Sequence, residues 1–239
     1  MLQYFATTCI YLINSNMKQR RIDLAITTYC QSKCIICPRT NPETKEAWDW
    51  LTIQHLDLDK IKHRLNNFIY NKPDDTDCQL QLCGEFGDPM MHPNIGEIID
   101  HAFDIGITHI ELNTNGGLRN STWYAKYGSK YKKKLEIVFG IDGIDHDTNW
   151  KYREGVNFDK AWENMIAYNN SNGFAVWQFL IFDWNHHQIV EAVDIAKKQN
   201  LMLKMRFTSS GVGEHQIGMP QGDTRQRVER LLGELNVMS

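Results

Sequence analysis

The feature that most constrains the fold is a regular alternation, from Arg21 onward, of short apolar or β-branched runs with amphipathic stretches. The amphipathic stretches place apolar residues three or four positions apart, the period of a helix, whereas the short runs have the length and composition of buried strands. Such alternation is typical of βα units around a parallel sheet. We predict six strands, at residues 22–27, 79–83, 109–113, 135–141, 175–182 and 202–207, and helices at 57–68, 93–103, 122–127, 159–169 and 187–199.

The composition is that of one globular domain. The chain has 239 residues, of which 42% are hydrophobic and 23% are charged, and no repeat, low-complexity tract or Pro/Gly-rich linker divides it. We therefore predict a single α/β core domain at 21–210, an N-terminal appendage at 1–20, and a C-terminal tail at 211–239 that forms a loop and then a short helix.

Charge and hydropathy do not indicate a nucleic-acid partner or a membrane partner. The formal net charge of −3 provides no basic excess to neutralise phosphates, so a nucleic-acid partner is not implied. No apolar run reaches the length of a membrane span, and the apolar stretch at 9–12 is too short for the core of a signal peptide. We therefore expect a cytoplasmic protein without a membrane partner.

Three of the six cysteines, Cys30, Cys34 and Cys37, lie within eight residues on the segment after the first predicted strand. Clustered thiols in a reducing compartment are typical of a metal site rather than of a disulfide scaffold. Three thiolates at C-x3-C-x2-C spacing can hold three corners of an iron–sulfur cube and leave the fourth iron open, whereas electron-transfer clusters usually have four cysteine ligands. The spacing indicates a [4Fe–4S] cluster with one open iron.

Two other interpretations of these cysteines remain. One is a structural zinc site, although zinc normally takes four ligands arranged as paired knuckles, and no second C-x2-C or H-x3-H pair follows in the sequence. The other is three unrelated buried cysteines. Cys78 and Cys83, at the two ends of the second predicted strand, are interpreted as buried strand residues, with a fourth cluster thiol as the alternative.

The cysteine loop resembles the defining motif of the radical S-adenosylmethionine (SAM) superfamily, in which it follows the first strand of a partial (βα)6 barrel. The resemblance runs from about residue 21 to residue 207 and is closest to the peptide-modifying branch that includes sulfatase-maturing and SPASM-type enzymes. It implies one oxygen-sensitive [4Fe–4S] cluster and SAM as cofactors. SPASM-type enzymes hold auxiliary clusters with C-terminal cysteines, and because no cysteine occurs after Cys83, we expect auxiliary clusters to be absent.

A second match is the segment Cys83-Gly84-Glu85-Phe86-Gly87-Asp88-Pro89, which resembles the Gly-Gly-Glu-Pro segment after the second strand of the family. In the family this segment binds the amino group of SAM, and Phe86, Gly87 and Asp88 take the Gly-Gly-Glu positions here. The sequence departs from the pattern in having Phe for the first Gly and Asp for Glu. A carboxylate and exposed carbonyls can accept hydrogen bonds from an ammonium, with Glu85 as the alternative carboxylate to Asp88. A tight turn built on Gly and Pro is the alternative to a binding role.

Further matches lie after the later strands. Asn115, in Asn113-Thr114-Asn115-Gly116, resembles the family's Thr-Asn-Gly segment, and Asp142, in Gly140-Ile141-Asp142-Gly143, resembles its Ser-Asp-Gly segment. The resemblance implies that Asn115 contacts SAM, that Asp142 binds the ribose hydroxyls, that Arg153 pairs with a carboxylate of SAM or substrate, and that Asn185 lies near the nucleoside. It also adds Ile36, in the cysteine loop, to the SAM contacts.

The four polar residues among these have plainer alternative roles. Asn115 and Asp142 are also what a turn satisfying its own backbone would use, Arg153 is equally suited to a structural salt bridge, and Asn185 to an N-cap. Ligand sites of parallel barrels lie at the carboxyl ends of the strands, so the shared position of these residues favours one common cavity.

The resemblance implies reductive cleavage of SAM to a 5′-deoxyadenosyl radical, which abstracts hydrogen from a substrate. A peptide or protein side chain is the first hypothesis for this substrate, and a small molecule or nucleoside is the second. A non-catalytic metal-binding or iron–sulfur module is the third. An enzyme of this kind also requires an electron donor such as flavodoxin or ferredoxin.

Overall fold

The computed structural model describes residues 18–207, 218 and 220–235, and within them six strands form one sheet. The strands are β1 Lys18–Asp23, β2 Thr76–Leu82, β3 His109–Thr114, β4 Leu135–Gly140, β5 Phe174–Ile181 and β6 Met202–Phe207. All neighbouring strands are parallel, and their spatial order is their sequence order. Because crossovers between parallel strands are right-handed, consecutive order places the connecting helices on one face, and the sheet curves into a partial barrel. The predicted α/β fold is confirmed.

Seven α-helices accompany the strands in the described residues: α1 Leu58–Tyr70, α2 Ile95–Asp104, α3 Ser121–Tyr131, α4 His146–Trp150, α5 Phe158–Asn170, α6 Ile189–Lys198 and α7 Gly222–Glu234. Several begin as predicted after a capping residue. The side chains of Asp57, Asn120 and Asn157 each accept a hydrogen bond from an amide in the first turn of α1, α3 and α5, which satisfies donors that a helix leaves unpaired. The short helix α4 was not predicted.

The first strand lies earlier in the chain than predicted. It covers Lys18–Asp23 rather than 22–27 and pairs Arg21 with Gln79 and Asp23 with Gln81. Residues 24–27 are extended, but after Leu24 they leave β2 and contact the segment before α1, where Leu56 donates to the carbonyl of Ile26. An extended run of buried residues was thus identified correctly, but its pairing partner was not the sheet.

The two faces of the sheet have opposite character. The face toward the helices is apolar and buried, with residues such as Leu80, Ile110, Ile137, Trp177 and Met205. The alternate positions, which form the concave face, include the buried Val138 and Val176 but are mostly polar and at least partly exposed: Arg21, Asp23, Gln79, Gln81, Glu111, Asn113, Glu136, Gln178, Lys204 and Arg206. Parallel sheets and closed barrels normally bury apolar residues on both faces. The concave face is therefore built to contact water or a polar ligand.

The tail contains the predicted short helix. Val228 and Leu232 of α7 are buried in the main core, and the guanidinium of Arg225 lies 4.6 Å from the ring centroid of Phe207. Most of the predicted loop at 211–222 lies outside the described residues, and the division into appendage, core and tail stays a prediction. No helix in the part of the chain that the structure describes is both long and apolar enough to cross a membrane.

Candidate functional site

The three cysteines of the loop after β1 line one cavity of about 320 Å³ at the carboxyl ends of the strands. Backbone hydrogen bonds shape the loop: the Cys37 amide donates to the Cys34 carbonyl at 3.0 Å, and the Lys33 amide donates to the Glu154 carbonyl at 2.8 Å. The Arg39 side chain donates to the carbonyl of Thr28 at 3.0 Å. The cavity's volume lies at the lower end of the range of about 300–1,000 Å³ typical of small-molecule sites.

The environment of Cys30 and Cys34 disfavours free thiolates. Burial, followed by the Asp88 carboxylate, raises the pKa of Cys30 to about 12. Burial also raises the pKa of Cys34, while the Arg153 guanidinium and a 2.9 Å contact with the Ser32 hydroxyl act in the opposite direction. Thiolate ligands form in such places when a metal centre supplies the compensating positive charge.

The donor set fits an iron–sulfur cluster. Soft thiolate sulfur is the ligand type of such clusters, each of whose cysteines binds a different iron. No group of three or more His, Cys, Asp or Glu side chains within the described ranges is placed to hold a single metal ion. Cys83 also lines the cavity and is exposed, so its interpretation as a buried strand residue is wrong, whereas Cys78 is fully buried as expected.

Asp88 joins three parts of the site. Its carboxylate caps the short 3-10 helix at Pro89–Met91 through the Met90 amide at 2.9 Å, and it accepts from the hydroxyl of Thr114 and the amide of Asn115, the latter at 2.9 Å. Its own amide donates to the Tyr29 carbonyl at 2.8 Å. The ends of β2 and β3 and the start of the cysteine loop are thereby held together. Burial raises the pKa of Asp88, and these hydrogen bonds oppose that rise.

The glycine at position 87 makes this close approach possible. A Cβ atom on Gly87 would overlap the Thr27 carbonyl and contact Thr28 at 2.9 Å, nearer than real Cβ atoms approach. Gly87 lines the cavity as predicted, whereas Phe86 does not; its ring packs edge-on against the exposed Trp50 at 5.7 Å. The role of Phe86 in SAM binding stays a prediction that these contacts do not favour.

Asn115 connects the end of β3 to the cysteine loop. Its side-chain oxygen accepts from the Gln31 amide at 2.6 Å and from the Gly117 backbone at 3.0 Å, and its nitrogen lies 3.9 Å from the sulfur of Cys30. Asn115 also lines the cavity, as does Ile36. Both residues are therefore placed where the resemblance puts SAM contacts, and those contacts stay predictions.

Arg153 reaches the cavity from the segment after α4. Its Nε donates to a carboxylate oxygen of Asp142 at 2.7 Å, and its guanidinium lies 5.0 Å from the ring centroid of Tyr152. A Cβ on Gly140 would lie 2.5 Å from an Arg153 nitrogen, so the glycine at the end of β4 leaves room for the guanidinium. Burial alone would lower the pKa of Arg153, but the Asp142 carboxylate raises it well above its ordinary value, and the side chain stays cationic.

Asp142 itself lies behind Arg153. Its two carboxylate oxygens are occupied, one by Arg153 and the other by the Leu180 amide at 2.6 Å, and its side chain is fully buried. The structure thus brings Arg153 to the cavity and places Asp142 outside the cavity's lining. The predicted contact with the SAM ribose stays a prediction; the geometry shows a positioning role.

The side chain of Asn185 also forms its hydrogen bonds with backbone groups. Its side-chain oxygen accepts from the Phe182 amide at 2.7 Å, and its nitrogen donates to the carbonyls of Asp142 at 3.0 Å and Leu180 at 2.8 Å. The residue does not cap the following helix through its side chain. It ties the ends of β4 and β5 together beside the cavity, and a nucleoside contact stays a prediction.

Several cavity residues were not predicted. Ser32, Arg39, Tyr152 and Gln178 all line it. Ser32 and Arg39 lie within or next to the cysteine motif, and Tyr152 precedes the predicted Arg153, so motif proximity was a usable signal. Gln178 pairs in register with Gly140 across β4 and β5, a relation that only the strand register reveals.

Comparison with known proteins shows likeness at the level of structure only. No protein-family model and no curated protein sequence matches the chain. Streptococcus suis SuiB bound to S-adenosylmethionine superposes with a TM-score of 0.66 over 89% of this chain and 46% of SuiB, at 16% identity. The protein anSMEcpe, with bound AdoMet and the Cp18Cys peptide, gives 0.66 over 90% and 58%, at 12% identity.

A third solved structure, methylornithine synthase (PylB), gives a TM-score of 0.59 over 90% of this chain and 62% of PylB, at 13% identity. The chain thus spans between 46% and 62% of the length of these three structures. Identities this low establish the fold alone. The chain has the partial-barrel fold of the radical SAM enzymes, as the sequence motifs led us to expect.

Proposed function

We propose that this protein is a radical SAM enzyme that uses one [4Fe–4S] cluster and abstracts hydrogen from a substrate. The proposal rests on one observation: a single cavity at the carboxyl edge of the sheet is lined by Cys30, Cys34, Cys37, the Asp88 segment and Arg153. These residues come from three separate parts of the chain. Chance clustering of cysteines would not require a cation and a glycine-lined strand end at the same cavity.

The three cysteines would hold the cluster. When bound, the cluster would supply one electron and an open iron for the reductive cleavage of SAM to methionine and a 5′-deoxyadenosyl radical. The chain's own part is to hold three thiolates, to keep Arg153 charged beside Cys34, and to restrict water at the half-enclosed cavity. Clustered thiols also support the cytoplasmic location, where thiols stay reduced.

The same geometry supports the SAM-binding roles that we propose for individual residues. The guanidinium of Arg153 suits a carboxylate of SAM, because it is fixed by Asp142 and reaches the cavity. Backbone carbonyls around Gly84 and Gly87, together with Asp88, suit the amino group. Asn115 and Ile36 complete the predicted contacts. Asp142 and Asn185 would act mainly by holding Arg153 and the end of β5.

A peptide or protein side chain is the substrate class we favour. Two of the matching structures are described with a bound peptide, SuiB with its precursor peptide SuiA and anSMEcpe with Cp18Cys. A small-molecule substrate is the second candidate, supported by the match to methylornithine synthase. A flavodoxin or ferredoxin would be the electron donor.

The test is anaerobic reconstitution with iron and sulfide, followed by reduction with SAM and chromatography for 5′-deoxyadenosine. We expect the product from the wild-type chain and none from Cys34→Ala. Cys78→Ala is the matched control, because Cys78 is buried in the core away from the cavity. A fully loaded wild-type cluster that neither binds nor cleaves SAM would refute the proposal and leave a metal-binding role.

A further inference from the structure

The concave face of the sheet contains a carboxylate that has no cationic partner among the described residues. Three carboxylates lie in one row across β1, β3 and β4: Asp23, Glu111 and Glu136. Asp23 pairs with Arg21 at 2.8 Å, and Glu136 lies 3.4 Å from His109. Glu111 forms no ion pair in the part of the chain that the structure describes.

Glu111 is nevertheless held in a defined orientation. The side-chain amides of Gln81 and Asn113 both donate to its Oε1, at 2.8 and 3.0 Å. Gln81 in turn accepts from Arg21, so an amide lies between that guanidinium and Glu111. Oε2 accepts no hydrogen bond from a described residue. A carboxylate fixed through one oxygen, with the other available, is suited to bind a ligand donor.

Glu111 also lies beside a second carboxylate, Glu136. Glu111 and Glu136 are register partners on adjacent strands, which lie about 4.8 Å apart. Like charges at such positions are destabilising. His109 lies 3.4 Å from Glu136, so Glu111 is the carboxylate of this pair that a bound cation would reach without competing with a histidine.

Glu111 lies directly beneath the cavity. Asn113, which donates to it, and Cys83 at the end of β2 both line that cavity. Because the Asn113 amide donates to Glu111 at 3.0 Å, the carboxylate lies within hydrogen-bond reach of a residue that lines the cavity.

The charges on the face are also segregated. The β1–β4 side carries the three carboxylates of the row and one arginine, Arg21, which pairs with Asp23, whereas Lys204 and Arg206 lie on β6 at the opposite edge, with Arg206 bonded to Gln178. A cation would therefore be repelled from the β6 side and drawn toward β3. The same asymmetry favours a ligand whose cationic group points to Glu111.

We propose that Glu111 is a specificity-determining residue that binds a cationic group, such as an alkylammonium, on the substrate. This rests on the proposed function, because the same cavity is taken to hold the reacting centre. The substrate would then need a polar chain that enters the concave face past Asn113. A substrate with a neutral chain of the same length would leave Glu111 unpaired and bind more weakly.

The experiment compares two probes on the cluster-loaded, SAM-bound protein: the capped tripeptide N-acetyl-Gly-Lys-Gly-amide and its norleucine counterpart, which lacks the charge. Anaerobic titration calorimetry gives their affinities, and 5′-deoxyadenosine formation is followed in parallel. We expect the lysine probe to bind about tenfold tighter, equivalent to about 1.4 kcal/mol. We expect Glu111→Gln, which keeps an acceptor for Gln81 and Asn113, to reduce the preference to less than about twofold.

Glu136→Gln is the matched control, since Glu136 lies on the same face but has His109 beside it; we expect it to keep most of the preference. Equal binding of both probes, no binding of either, or a preference that survives Glu111→Gln would overturn the inference. A loaded protein that fails to bind SAM would instead refute the proposed function. Circular dichroism and iron content establish that each variant is folded and loaded.

Discussion

The buried pair between Asp142 and Arg153 provides the sharpest test of how the site is held. Asp142 has no exposed surface, and the Arg153 side chain is 16% exposed. The two oxygens of Asp142 accept from different donors, Arg153 Nε at 2.7 Å and the Leu180 amide at 2.6 Å. An asparagine has one acceptor oxygen, so Asp142→Asn removes the charge and leaves one of these donors facing an NH2 group.

The expected cost follows from these contacts. An unsatisfied buried donor costs about 1–3 kcal/mol, and removing one partner of a buried ion pair costs about 3–5 kcal/mol in total because the other charge stays uncompensated. For a protein of this size, about 2–4 °C of melting temperature is lost per kcal/mol. We therefore expect Asp142→Asn to lower the melting temperature by about 6–20 °C.

The assay is thermal unfolding followed by circular dichroism under anaerobic conditions. Asp147→Asn, at an exposed position of α4, makes the same chemical change and should alter the free energy of unfolding by no more than about 0.5 kcal/mol. A melting temperature of Asp142→Asn within about 2 °C of the wild type would refute the reasoning, because it would mean that Arg153 finds another partner or is solvated.

Three further outcomes are expected. Gly140→Ala should weaken SAM binding by the loaded protein several-fold in calorimetry without loss of the cluster, since its Cβ displaces the Arg153 guanidinium; unchanged affinity would contradict this. Asn185→Ala should lower the free energy of unfolding in urea by about 3 kcal/mol because three buried backbone partners lose their hydrogen bonds. A loss below about 1 kcal/mol would argue against the role of Asn185 in tying the ends of β4 and β5 together. Burial lowers the pKa of His92 below its ordinary value of about 6.5, so its contribution to stability is fully present above that pH and is lost as pH falls through the folded pKa. The urea midpoint of the wild type should fall as the pH is lowered from 7.5 to 5.5, and it should fall less steeply in His92→Gln. Equal slopes in the two proteins would show that His92 does not cause the pH dependence.

The fold was predictable because strand and helix periods alternate along the whole core. In β3, for example, Ile110, Leu112 and Thr114 are buried and the residues between them are partly exposed, as strict alternation indicates. What alternation does not reveal is which neighbour an extended run pairs with. Residues 24–27 have strand character, yet beyond Leu24 their partners lie in the segment before α1 rather than in β2.

The candidate site was predictable to the extent that motifs follow parallel strands, whose carboxyl ends share one edge. That reasoning located the cysteines, Gly87, Asp88 and Asn115 at the cavity. It did not reveal which polar side chains form their hydrogen bonds within the protein rather than with a ligand. Asp142 and Asn185 are committed to Arg153 and to strand ends because of how the later loops pack, and that depends on the tertiary path rather than on local sequence.

The polar concave face could not be predicted from the sequence either. The alternation in β3 places Glu111 and Asn113 on one side of the strand, but the sequence does not state that this side lacks a helical cover. Only the sequential strand order, which places the helices on the opposite face, establishes it.

The most direct test of the central claim is electron paramagnetic resonance of the anaerobically reconstituted, reduced protein, recorded before and after addition of SAM. The account predicts the signal of one reduced [4Fe–4S] cluster that requires Cys30, Cys34 and Cys37, and a change in that signal when SAM binds the open iron. A cluster signal that SAM leaves unchanged, or a cluster that forms equally well without these cysteines, would contradict it.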